Sequence, residues 1–166
     1  MSAFGRDVPH DCPCGSGAPY AACCGPLHQG ERAAATAEQL MRSRYAAYVV
    51  GDQPYLERTW HPRTRPSPLA LDDVVGWAGL SILATADGRD FDSTGEVEFR
   101  AAYRGGALHE RSRFVRRAGA WVYVDGDILG DIVGDVGGDI GGDVGGDVVG
   151  RGAEVETGSS RPTASP

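Results

Sequence analysis

Along residues 36–126 the spacing of hydrophobic positions changes from helical to alternating. Leu40, Met41, Tyr45, Tyr48 and Val49 recur on one face of a helix, with Ala37 at its start. Thr36-Ala37-Glu38-Gln39 has the form of a capping box, in which the Thr hydroxyl accepts the Gln39 amide. Gly51 supplies the left-handed residue that ends such a helix. Pro54 suits the first turn of a second short helix over residues 54–60. Residues 61–68 form a loop, since three prolines there oppose regular pairing. From residue 76 the pattern is that of strands. Residues 76–86 are apolar, and 96–104 alternate with Val97, Phe99, Ala101 and Tyr103 on one face. Residues 108–117 and 121–124 complete a meander with turns expected at Gly105-Gly106 and Ala118-Gly119. Two helices followed by a curled antiparallel sheet predict an α+β domain.

This domain, over residues 31–126, has appendages on both sides. Residues 1–11 are read as a flexible leader, and residues 12–30 contain all four cysteines. Residues 127–166 are a low-complexity Gly-Asp repeat with Asp at every fourth position from Asp127 to Asp147. A helix would stack those like charges, the glycines oppose it further, and the period is not the nine residues of calcium-binding β-rolls. The repeat is therefore expected to be disordered.

Charge adds one distinction. The net charge of −7 has its source in residues 125–150, which carry seven Asp and no basic residue. Residues 1–124 carry fourteen Arg against fourteen acidic residues, so the domain is balanced and offers no net basic surface for nucleic acid. No run approaches the roughly 18 apolar residues of a membrane span, and residues 1–15 lack the apolar stretch of a signal peptide. A soluble protein of the reducing cytoplasm is expected.

The chemistry is concentrated in the cysteines. Cys12, Cys14, Cys23 and Cys24 follow the spacing C-x-C-x8-C-C. Four thiolates can close a tetrahedron around one structural zinc ion, and Gly15 and Gly17 let the chain turn back between the pairs. Two disulfides are disfavoured by the expected compartment and by the adjacency of Cys23 and Cys24. A redox centre lacks a C-x-x-C pair, while an iron–sulfur cluster stays open despite the unusual spacing. His10 and His28 lie nearby but four sulfurs already fill a closed site.

Cys12-Pro-Cys-Gly-Ser-Gly, Tyr20 and Cys23-Cys24-Gly25 together resemble the SEC-C zinc knuckle. LMRSRYAAYVVGDQPYLERTWHPRTRP over 40–66 and HERSRFVRRAGAWVYVDG over 109–126 resemble the YchJ-like family of bacterial proteins. The resemblance spans about residues 12–127. It implies a knuckle followed by a cone-shaped domain of the nuclear transport factor 2 superfamily, and zinc ligands at Cys12, Cys14, Cys23 and Cys24. It hands over no activity; the sequence itself favours an interaction or accessory protein over an enzyme. The knuckle would recognise another protein or a ribosome- or translocation-related complex, and the cone would serve as scaffold or small-ligand binder. Many such knuckles are rich in lysine around the Tyr, whereas this one has Ala18, Pro19, Ala21 and Ala22.

Within the domain, Arg44 falls inside the apolar stripe of its helix, and Glu110 and Ser112 share the inward face of a strand with Leu108 and Phe114. A buried guanidinium needs a partner, so an Arg44–Glu110 ion pair is expected. The same residues, with His61 and Tyr103, are candidates for the polar floor of a ligand pocket. The alternative function is an enzyme in that pocket using Glu110, His61 and Arg44. No nucleophile elbow, phosphate loop or open metal site supports it. His109, Arg111, Arg113 and Arg117 are expected on the solvated outer face of the sheet.

Overall fold

The fold begins with short pieces that the cysteine segment itself dictates. In the computed structural model, which describes residues 8–71 and 75–130, Tyr20–Ala22 form a 3-10 turn and Gly25–His28 a single helical turn, α1. Helix α2 spans Ala37–Val50, α3 spans Gln53–Arg58, and four strands follow: β1 Trp77–Asp87, β2 Thr94–Tyr103, β3 Gly106–Arg117 and β4 Ala120–Gly130.

The caps of α2 are those its sequence predicts. The Gln39 amide donates to Thr36 Oγ1 at 3.1 Å, and Gly51 closes the helix at φ 77°. The Gln39 side chain reaches back one residue further than a capping box requires, accepting the Ala35 amide at 2.7 Å. Asp52 then caps α3 by accepting the Tyr55 amide.

The strands form one antiparallel sheet in the order β1-β2-β3-β4. Register shifts in β1–β2 and β3–β4 mark bulges, which bend and twist the paired strands and curl the sheet around α2. Leu40, Met41 and Tyr45 of α2 pack with Val97, Phe99, Ala101 and Phe114 of the sheet in one apolar cluster, together with Leu56 of α3. The α+β architecture of two helices on a curled sheet is thus present.

Three boundaries differ from the sequence reading. The β2–β3 turn lies at Arg104-Gly105, one residue earlier than expected, because Tyr103 pairs directly with Gly106. Strand β4 runs on to Gly130, past the expected start of the repeat tail, because Asp127 pairs with Arg111 in register and binds the Arg113 guanidinium at 2.6 Å. The leader is held at its end, where Asp11 bridges Pro19 and the Tyr20 amide donates to the His10 carbonyl. The remainder of the tail, 131–166, and residues 1–7 lie outside the described residues.

Candidate metal centre and cone cavity

The cysteine segment doubles back on itself. The Cys12 amide donates to the Ala18 carbonyl at 2.9 Å, and the Cys23 amide donates to the Tyr20 carbonyl at 3.1 Å. These bonds fold both cysteine pairs onto one point. All four Sγ atoms lie within 4.8 Å of one another. Cys14 and Cys23 are separated by 3.6 Å, and Cys23 and Cys24 by 3.9 Å. A tetrahedron with metal–sulfur bonds of about 2.3 Å has edges of about 3.8 Å. The donor set therefore fits one ion of the size and softness of zinc.

The surroundings favour a cation at that point. Cys12, Cys14 and Cys24 are buried, and Cys23 is half-buried. Hydrogen bonds from Cys12 and Cys24 hold the Cys14 thiol far below the ordinary thiol range. Hydrogen bonding to Cys14 pushes Cys12 up to about 11, and Cys12, Cys14 and burial raise Cys24 further. Thiols packed this closely could all ionise together only with a cation among them. Two arginines brace the cysteine backbone: Arg32 Nη2 donates to the Cys23 carbonyl at 3.0 Å, and Arg42 Nη1 to the Cys14 carbonyl at 2.9 Å.

The knuckle is welded to α2. Tyr20, Ala46 and Val50 pack with Cys12, Cys14 and Cys24 in a second apolar cluster. His28 is no ligand. Its Nε2 lies 2.8 Å from the Ser43 carbonyl, so Nε2 donates and Nδ1 accepts from the Tyr20 hydroxyl at 2.6 Å. Burial lowers its pKa, in keeping with a neutral ring. Sequence reasoning missed this role, because nothing local pairs His28 with a carbonyl fifteen residues on. His10 is exposed and contacts Asp11.

The second site is a cavity of about 80 Å³ between α2 and the sheet. Arg44, Glu110 and Ser112 line it, as expected, and both charged side chains are buried. They do not form the expected ion pair: among the described residues, neither is within ion-pair distance of an opposite charge on the other. Arg44 Nη1 donates to the Leu56 carbonyl at 3.0 Å and to Thr59 Oγ1 at 2.8 Å. Its guanidinium lies 4.8 Å from the Trp60 ring and 4.7 Å from the Tyr123 ring. Tyr48 is a further hydrogen-bond partner, so the guanidinium is held without a carboxylate beside it. Glu110 Oε1 instead accepts Ser112 Oγ at 2.6 Å and the Tyr123 hydroxyl at 3.2 Å. Burial raises the Glu110 pKa above the ordinary carboxylate value, and the two hydroxyls and Arg44 only partly oppose it.

His61 and Tyr103 do not line this cavity. The His61 amide donates to the Tyr123 carbonyl at 2.7 Å, and its Nδ1 accepts the Arg63 amide, which turns the ring toward its own loop. No His61–Glu110 acid–base pair is assembled. Tyr103 is buried against Trp77 with ring centroids 6.1 Å apart. The cavity walls that sequence reasoning missed are aromatic: Tyr48, Trp60, Trp77 and Tyr123. Gly126 was missed too. A Cβ there would run into Glu110 Oε1, so glycine is what leaves room for the carboxyl group.

On the outer face the charges compensate one another. Glu98 bonds both His109 and Arg111 at 2.9 Å, and Arg113 binds Asp125 and Asp127. Arg117 is exposed.

Comparison with known proteins agrees with this two-part arrangement. Residues 11–26 match the SEC-C motif, and residues 36–126 match the YchJ middle NTF2-like domain. The chain belongs to the YchJ-like family. A UPF0225 protein of Streptomyces coelicolor is 64% identical over 118 residues, which cover 71% of this chain and 95% of that one. One from Deinococcus radiodurans is 55% identical over 119 residues, covering 69% of this chain and 86% of that one. Among solved structures, a SEC-C motif containing protein from Rhodopseudomonas palustris superposes with a TM-score of 0.63 at 37% identity, covering 72% of this chain and 99% of the other. Another from Psychrobacter arcticus gives a TM-score of 0.59 at 29% identity, covering 71% and 82%. No described helix is long and apolar enough to cross a membrane.

Proposed function

We propose that this YchJ-like protein is a cytoplasmic interaction or accessory protein whose knuckle, closed by one structural zinc ion, is the recognition element. The cone carries the knuckle and binds a small ligand. The observation that supports this most is the convergence of four thiols on one point directly beneath an exposed tip. Cys12, Cys14 and Cys24 face inward, while Gly17, Pro19, Ala21 and Ala22 form an uncharged outer rim. Zinc would tie Cys12, Cys14, Cys23 and Cys24 together and fix that rim as a rigid surface. With no lysine on it, the rim suits a protein surface better than a phosphate backbone.

Two measurements test the reading. Metal analysis with X-ray absorption on the purified full-length protein should give one zinc per chain with sulfur-only ligation. A photo-crosslinking residue at Ala21 should then trap a discrete protein in living cells, while the same residue at Arg100, exposed on the sheet, should not. Loss of the Ala21 product in Cys23→Ser, with the sheet face still silent, is the expected pattern. Equal trapping from both positions would refute the knuckle as the recognition element.

A further inference from the structure

A larger cavity, of about 250 Å³, opens between residues 27–34 and the start of β4. Leu27, Leu40, Tyr55, Trp121 and Val122 line it and are buried, so its floor is apolar. Arg32 and Arg58 line it too, and both are exposed. Arg32 Nη2 donates to the Ala22 and Cys23 carbonyls, and Arg58 Nη2 to the Leu27 and His28 carbonyls. Among the described residues neither guanidinium has a carboxylate within ion-pair distance, and no acidic side chain lines the cavity. Other cationic surfaces of the fold are already compensated. The groove beside the cysteines contains Glu38, which pairs with Arg42 at 2.9 Å, and the outer sheet face sets Glu98, Asp125 and Asp127 against Arg111 and Arg113. The cavity thus combines an apolar floor with two cations that lack counter-charges.

From this combination we infer that residues 139–147 of the same chain dock in the cavity, an aliphatic side chain of the repeat against the Trp121 floor and its flanking Asp carboxylates on Arg32 and Arg58. The repeat supplies both kinds of group. Asp139, Asp143 and Asp147 are interleaved with Ile140 and Val144, and the glycines between them let the backbone approach closely. Residues 131–150 contain no basic residue that would oppose the two arginines. Reach selects the later units. Gly130 stands at the far end of β4 from Trp121, about 30 Å of strand away. A chain leaving Gly130 covers that distance only from about residue 140 onward. Linkage within one chain keeps the repeat near the cavity at an effective concentration on the order of millimolar, an advantage that no separate acidic protein shares. The ion pairs are exposed, so the contact adds little to stability and is read by occupancy.

Cross-linking within the full-length, metal-loaded protein tests this. A small diazirine-bearing residue at Val144 is photoactivated in dilute solution, and its products are mapped by mass spectrometry. It should label segments 27–34 and 120–122 of its own chain. The same residue at Ile132, too near Gly130 to reach the cavity, should not. Asp139→Asn, Asp143→Asn and Asp147→Asn together should lower the labelling about fivefold, and about 1 M salt should do the same to the parent chain. Arg58→Gln should lower it in the same way, folding being checked by metal content and circular dichroism. Arg100→Gln, on the outer sheet face, should leave it unchanged. If Arg58→Gln does not fold, the tail substitutions still decide, since they lie outside residues 12–130. Labelling scattered over the surface, equal labelling by the neutralised tail, or products that join two chains would each overturn the assignment.

Discussion

The Glu110 carboxyl group lies directly over the α-carbon of Gly126 on the neighbouring strand, in the space a side chain there would fill. A single methyl should therefore be felt. Gly126→Ala should destabilise the domain by about 1–3 kcal/mol, as overpacking of a filled interior does. Glu110→Ala should vacate the same volume, so the double variant should recover much of the Gly126→Ala loss in a denaturation cycle. Simple additivity would mean that the carboxyl group is not where the structure places it.

Glu110 also sets a dependence on pH. Arg44 and Tyr48 face it from α2, Ser112 and Phe114 share its strand face, and Tyr123 faces it from β4. Its pKa is raised above 4.5 in the folded state, so the native protein holds this proton more tightly than the unfolded chain does. Stability from this group is present at low pH and declines as pH rises through the window that opens near 4.5. Glu110→Gln should flatten that decline and leave the variant more stable than the parent at neutral pH. Denaturation midpoints measured across the window check the sign, and a steeper decline in the variant would contradict it.

Metal removal should reach beyond the knuckle. Ala46 and Val50 of α2 pack against the cysteine cluster, and His28 joins Tyr20 to the Ser43 carbonyl. Chelation, or Cys12→Ala, should loosen both contacts and destabilise α2 by on the order of 2 kcal/mol, roughly the burial of one aliphatic side chain. Hydrogen exchange at the amides of residues 43–50 is the direct measure. Arg32→Ala should speed metal release to a chelator without moving the unfolding midpoint of the loaded protein by more than a degree or two, since this side chain is exposed and only braces the ligand loop.

Chain ends give a further test. A protein ending at Gly130 should unfold at the same temperature as the full chain, whereas one ending at Gly126 loses the Arg113–Asp127 pair and the partly buried Ile128. That loss should amount to on the order of 2 kcal/mol. Identical midpoints for the two truncations would show that the end of β4 contributes nothing.

Much of this was legible in the sequence because it is local. The caps of α2 need only Thr36, Gln39 and Gly51, and the inward set of β2 follows from strict alternation. The clustering of the four cysteines could be read from spacing because the turn between them is short. The partner of Arg44 could not be read. Trp60 and Tyr123 come from different elements, and their enclosure of the guanidinium depends on the bridge between residues 60 and 123. The same bridge region holds His61 away from the cavity. The end of β4 was hidden by composition: Gly126 and Asp127 look like the first unit of the Gly-Asp repeat, and only pairing across to Ser112 and Arg111 makes them strand.

The joint between knuckle and helix has a consequence for abundance. Since the four cysteines and α2 share one apolar cluster, a metal ion bound by those thiols would be linked to folding of the domain by mass action. The folded fraction then follows the supply of free metal, and a chain made during scarcity would be the one most exposed to proteases. Turnover of this protein would report metal status with no dedicated sensor site.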